Sequence, residues 1–89
     1  MTQASSRVNI LVCDDEPTLR AVLTQVLSED GYDVTSAASG EEALALFRSN
    51  PFPIVLTDIV MGAMSDLELL REIKLIAPDT VVILRTSHA

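Results

Sequence analysis

These 89 residues can hold one small hydrophobic core and not two, and with 48% hydrophobic and 21% charged residues the composition is globular rather than disordered. Thirteen acids against six bases give a net charge of −7, which repels phosphate backbones and argues against direct nucleic-acid binding. Cys13 is the single cysteine, which rules out an internal disulfide framework and makes a zinc site a poor expectation.

Residues 1–7 are polar and are expected to form a frayed tail, with one domain over residues 8–89. No apolar leader is visible, and runs such as Val81–Leu84 fall far short of the ~20 residues that span a bilayer, so a cytoplasmic setting without membrane attachment is expected. The mean hydropathy of +0.35 is high for so small a domain. It implies strands buried on both faces or a surface that expects a partner.

Asn9–Cys13 reads as a continuous apolar strand that stops on Asp14-Asp15-Glu16. Pro17 suits the first position of a helix, where its fixed φ and missing N–H cost nothing. Leu19, Val22, Leu23, Val26 and Leu27 then form a helical stripe, and Gly31 is a natural stop. Residues 32–37 predict a short strand. Ser39 and Glu42 predict a capping box for a second helix that buries Ala43, Leu44 and Phe47 and ends before Pro51. Ile54–Asp58 is another apolar strand that stops on an acid. Ser65 and Glu68 predict a second capping box, opening a helix that buries Leu67, Leu70, Ile73 and Ile76. Thr80–Leu84 closes the series as a fourth strand. Apolar strands alternating with amphipathic helices predict an α/β fold, a doubly wound parallel sheet covered on both faces.

Asp14, Asp15 and Asp58 each stand where an apolar strand runs out at its carboxyl end, the place where doubly wound sheets bind ligands. If the first and third strands are neighbours, these carboxylates converge. Two of them ~5 Å apart repel by roughly 3 kcal/mol at an effective dielectric of 20. A hard divalent cation with oxygen ligands relieves this, and Mg²⁺ suits a site of few carboxylates, a carbonyl and waters. One carboxylate is then able to act as a nucleophile toward a phosphoryl group. A single strand-end Asp would read as a cap or a solvated acid. An Asp-Asp-Glu-Pro turn plus an Asp ending a second buried strand reads as a site.

The segment Ile10-Leu11-Val12-Cys13-Asp14-Asp15-Glu16-Pro17 resembles the first strand of response-regulator receiver domains. Gly31-Tyr32-Asp33-Val34, Ala38-Ser39-Gly40-Glu41-Glu42-Ala43-Leu44 and Val55-Leu56-Thr57-Asp58-Ile59-Val60-Met61 are similar to successive motifs of that family. So are residues 67–74 and Val82-Ile83-Leu84-Arg85-Thr86-Ser87, so the resemblance spans residues 8–88. It implies a flavodoxin-like β1-α1-β2-α2-β3-α3-β4 order with strands arranged 2-1-3-4. It also implies Asp58 as phosphoacceptor for a histidine kinase in a Mg²⁺-dependent reaction. Asp15 would be a direct metal ligand and Asp14 a largely water-mediated one. Asp58 itself and the Val60 carbonyl would be further ligands, and the Thr86 hydroxyl would be a hydrogen-bond donor to the phosphoryl group. An output domain or downstream protein would read the modified state.

Met61-Gly62-Ala63-Met64 stands where the family usually has Met-Pro-Gly-Met, and Asp66 replaces a usual glycine. The family pattern continues past the fourth strand, where this sequence ends, with a further helix, a lysine-bearing strand and a last helix. The resulting expectation is a receiver truncated after its fourth strand. Its phosphorylation would be weakened, and its exposed Val81–Leu84 edge would pair with a second chain. Two other readings stand beside the switch. One is a Mg²⁺-dependent phosphatase or phosphotransferase, which would need different acid spacing. The other is a degenerate receiver serving as an interaction or dimerisation module. Cys13 reads as a buried small hydrophobe, and His88 as a frayed terminal residue.

Overall fold

The computed structural model describes residues 7–58 and 66–85. The elements run β1 (Asn9–Cys13), α1 (Pro17–Glu29), β2 (Asp33–Ala37), α2 (Gly40–Ser49), β3 (Ile54–Asp58), α3 (Asp66–Ile76) and β4 (Val81–Arg85). The four strands form one parallel sheet in the order β2-β1-β3-β4. The expected element order and strand arrangement are both found. Three bounds move by one residue: Tyr32 and Thr80 precede their strands, and Arg85 belongs to β4.

Strand side chains alternate between faces, and the two faces are covered unequally. Leu11, Cys13 and Val55 point to one side and join Ala43, Leu44 and Phe47 of α2 and Leu69 and Ile73 of α3 in the buried core. Phe47 and Phe52 meet at 6.3 Å between ring centroids. Ile10 and Val12 of β1 are also buried. Farther along the face they share, Ile54 and Leu56 are half-buried and Ile83 is exposed, bordering an apolar groove with Leu27 and Tyr32. Coverage of both faces therefore fails over β3 and β4.

The helices show the same asymmetry. None of the α1 stripe is buried: Leu19, Leu23 and Leu27 are half-buried, and Val22 and Val26 are exposed. A stripe that wide needs neighbours on two sides, and among the described elements α1 packs mainly against β1 and β2. In α3 the buried pair is Leu69 and Ile73, while Leu67 is 60% exposed, Ile76 is exposed and Leu70 is half-buried. The expectation that Leu67 and Ile76 face the core was wrong.

Local signals behave largely as expected. Gly31 has φ +99°, and the Gly31 and Tyr32 N–H groups donate to the carbonyls of Ser28 and Leu27, both at 3.1 Å. This is a Schellman ending that favours glycine at position 31. Ser39 Oγ accepts the Glu42 N–H at 3.1 Å, but Glu42 Oε1 accepts the N–H of Ala38, at 2.9 Å, rather than that of Ser39. The α2 box is thus closed one residue early. Ser65 of the second expected box lies outside the described residues. Residues 1–6 of the expected tail do too, while Arg7 pairs with Asp33 at 3.7 Å. Buried Thr80 donates its hydroxyl to the Phe52 carbonyl at 2.7 Å, tying the start of β4 to the start of β3. β4 is the edge of the described sheet, with Val81, Ile83 and Leu84 exposed. Among the described residues no helix is long and apolar enough to cross a membrane.

Candidate functional site

The site begins where β1 ends. The Asp14 N–H donates to the Ala37 carbonyl at 3.1 Å, extending the β1–β2 ladder by one residue. The chain then turns. Asp14 Oδ1 accepts the Glu16 N–H at 2.8 Å, a local Asx turn. Glu16 caps α1 by accepting the Leu19 N–H at 3.0 Å, and Arg20 Nη1 donates to the Asp14 carbonyl at 2.8 Å. These bonds hold Asp14 fully buried at the end of β1 and leave Asp15 exposed beside it.

Asp58 is the last residue of β3 and is 2% exposed. Thr57, just before it, is buried and is the register partner of Cys13. Because β1 and β3 are adjacent and parallel, their acidic ends meet. Carboxylate oxygens from Asp14, Asp15 and Asp58 lie within 4.8 Å of one another. These are hard oxygen donors on one exposed and two buried side chains, a set that fits a hard divalent cation such as Mg²⁺. The three acids singled out in the sequence are thus brought together. Val60, Thr86 and His88, with residues 61–64 of the altered loop, lie outside the described residues.

One residue of the site was not anticipated. Arg85 ends β4 as the register partner of Asp58. Its Nη2 forms an ion pair with Asp14 Oδ2 and lies 3.9 Å from Asp58 Oδ2. Its side chain is 22% exposed. The sequence offered only a base just past the predicted Thr80–Leu84 strand, and the reach of Arg85 depends on the register of β3 and β4.

Cys13 directly precedes Asp14, with its side chain in the buried core. Its thiol donates to the Ser39 carbonyl at 3.3 Å. Burial pushes its pKa up to about 11 against an opposing hydrogen bond with Thr57, so it remains a neutral thiol and is no nucleophile at neutral pH. The expectation of a buried, hydrophobe-like cysteine is met.

Residues 10–89 match the family model of the response regulator receiver domain. The chain is 36% identical over 83 residues to the transcriptional regulatory protein ZraR of Salmonella typhimurium, covering 93% of this chain and 19% of that regulator. It is 36% identical over 80 residues to the response regulator receiver protein CpdR of Brucella abortus, covering 90% of this chain and 67% of that protein. The response regulator TrrA of Thermotoga maritima, solved in complex with Mg²⁺-BeF, superposes with a TM-score of 0.86 at 41% identity, over 92% of this chain and 71% of its own. The chain spans about a fifth of ZraR, so that regulator has extensive sequence without a counterpart here. With the family model covering nearly the whole sequence, and with the 2-1-3-4 sheet and its strand-end acids in place, the chain belongs to the receiver domains of response regulators, the regulatory phosphoacceptor domains of two-component systems.

Proposed function

We propose that Asp58 accepts a phosphoryl group from the phosphohistidine of a histidine kinase, and that Asp14 and Asp15 hold the Mg²⁺ on which the transfer depends. The observation that carries this reading is the meeting of the three carboxylates at the ends of β1 and β3, with Asp58 nearly buried among them. When bound, Mg²⁺ offsets the charge that otherwise keeps a phosphoryl anion away from a carboxylate.

The chain's own residues do the rest. Asp58 is fixed at a strand end, so its carboxylate is presented with little freedom to lose. One of its oxygens bonds to phosphorus as the phosphorus–nitrogen bond of the phosphohistidine breaks. The bonding electron pair stays with the ring nitrogen, and the ring, protonated on its other nitrogen, departs as neutral imidazole. Asp15, exposed beside the cluster, would be the direct ligand. Asp14, whose Oδ1 already accepts the Glu16 N–H and whose Oδ2 pairs with Arg85, acts mainly through water. On the family pattern, the Val60 carbonyl would be a further ligand and the Thr86 hydroxyl would donate to the transferred group. The modification adds about −1.5 to −2 charges at one strand end. A downstream protein or an output domain reads that change. The setting is the cytoplasm, where a thiol such as that of Cys13 stays reduced.

Beryllofluoride, a phosphoryl mimic, tests this directly. With Mg²⁺ present, fluorine NMR shows a bound beryllofluoride signal for the native chain and none for Asp58→Ala. Absence of the signal in a folded native chain would contradict the assignment of Asp58.

A further inference from the structure

We infer that Arg85 is a positioning residue of this site: a resident counter-ion that holds Asp14 and Asp58 together and competes with an incoming divalent cation for the Asp14 carboxylate. The inference rests on the phosphoacceptor reading above and adds a regulator of it.

Register comes first. Asp58 and Arg85 are paired residues on adjacent parallel strands, so their side chains leave the sheet on the same face. The long Arg85 side chain reaches past Asp58, 3.9 Å from its Oδ2, to pair with Asp14 Oδ2 across the end of β3. One guanidinium thus bridges the ends of β1, β3 and β4.

Charge comes second. Asp14 is fully buried and Asp58 nearly so, and two ionised carboxylates this close need a positive charge. Arg85 supplies it permanently, since a guanidinium does not deprotonate. With three carboxylates and one guanidinium, the cluster retains a formal charge of −2, which a single divalent cation offsets.

Competition follows from the donor count. Asp14 Oδ1 accepts the Glu16 N–H and Oδ2 pairs with Arg85, so both carboxylate oxygens are already engaged. A cation drawing on Asp14 either takes Oδ2 from Arg85 or sits beside a fixed positive charge. In both cases Arg85 weakens cation binding. Its Nε is buried and makes no hydrogen bond among the described residues, so the contacts to Asp14 and Asp58 are what hold the guanidinium. A purely structural bridge predicts something different: losing it would loosen the site and weaken cation binding.

The test is calorimetric titration of the 89-residue chain with MgCl₂, comparing native chain with Arg85→Gln and Arg85→Lys. The expected result is binding on the order of tenfold tighter in Arg85→Gln and near-native binding in Arg85→Lys, which keeps the charge. Equal or weaker binding by folded Arg85→Gln would overturn the inference and leave the phosphoacceptor reading standing. If neither native chain nor Arg85→Gln binds Mg²⁺, the acidic site itself is refuted as a metal site, and the inference falls with it. Should Arg85→Gln not fold, the arginine Nε–H resonances of the native chain decide. Exchange of the Arg85 proton with water quickens on adding Mg²⁺ if the guanidinium is displaced, and unchanged exchange would overturn the inference.

Discussion

Asp58 and Arg85 face each other in register at the carboxyl ends of β3 and β4, and the Arg85 guanidinium continues on to pair with Asp14 at the end of β1. Three strands of a parallel sheet are thereby closed at one end by opposite charges. Each side chain is there because its strand stops there. The acidic site is therefore a property of strand register as much as of the acidic residues themselves.

That dependence makes the core under the site measurable. Phe47 is fully buried against the sheet and stacks near Phe52. Phe47→Ala removes about 3–5 kcal/mol of stability, a large part of what a domain this small possesses. Urea unfolding is expected to show a midpoint near zero or no cooperative transition at all.

The α3 face gives a paired test. Leu69 is fully buried and Leu67 is 60% exposed. Leu69→Ala is expected to cost about 2–5 kcal/mol, and Leu67→Ala to stay within about 0.5 kcal/mol. Equal effects in urea unfolding would show that α3 is rotated from the position described.

This is also where the sequence was least legible. Leucines and isoleucines occupy positions 67, 69, 70, 73, 75 and 76, so more than one helical stripe fits, and only the position of the sheet chooses between them. The α1 stripe was equally plain as a pattern and equally silent about coverage, because burial depends on what lies opposite Val22 and Val26. Strands were easier. Asn9–Cys13 and Ile54–Asp58 are short apolar runs ended by acids, and their order and the convergence of Asp14, Asp15 and Asp58 followed from the family pattern. Arg85 was passed over because its role exists only once β3 and β4 are aligned residue by residue.

Cys13 sets a dependence on alkaline pH. Its pKa is raised from 9.0 to about 11 in the fold by burial. Between those values the unfolded chain releases the thiol proton while the folded chain retains it, so stability falls as pH rises. The loss begins near pH 9 and is complete near pH 11, reaching about 2–3 kcal/mol. Chemical unfolding of the native chain and of Cys13→Ala across this range is expected to show the smaller slope in the variant. Parallel slopes would argue against a perturbed thiol.

The β4 edge leads to a concentration-dependent prediction. Val81, Ile83 and Leu84 are exposed on the edge strand of the described sheet, beside an apolar groove lined by Ile54, Leu56 and Ile83. We propose that this 89-residue chain pairs with a second copy through that edge. Light scattering is expected to show a mass rising with concentration, and Ile83→Lys is expected to hold the chain monomeric. A constant monomer mass for the native chain would contradict the pairing.

The most direct test of the central claim is a single mass measurement. The native chain and Asp58→Ala are incubated with Mg²⁺ and acetyl phosphate, and their intact masses are recorded. The account predicts a gain of one phosphoryl group on the native chain and none on the variant. A folded native chain that gains nothing, or a variant that gains as much, would contradict Asp58 as the phosphoacceptor.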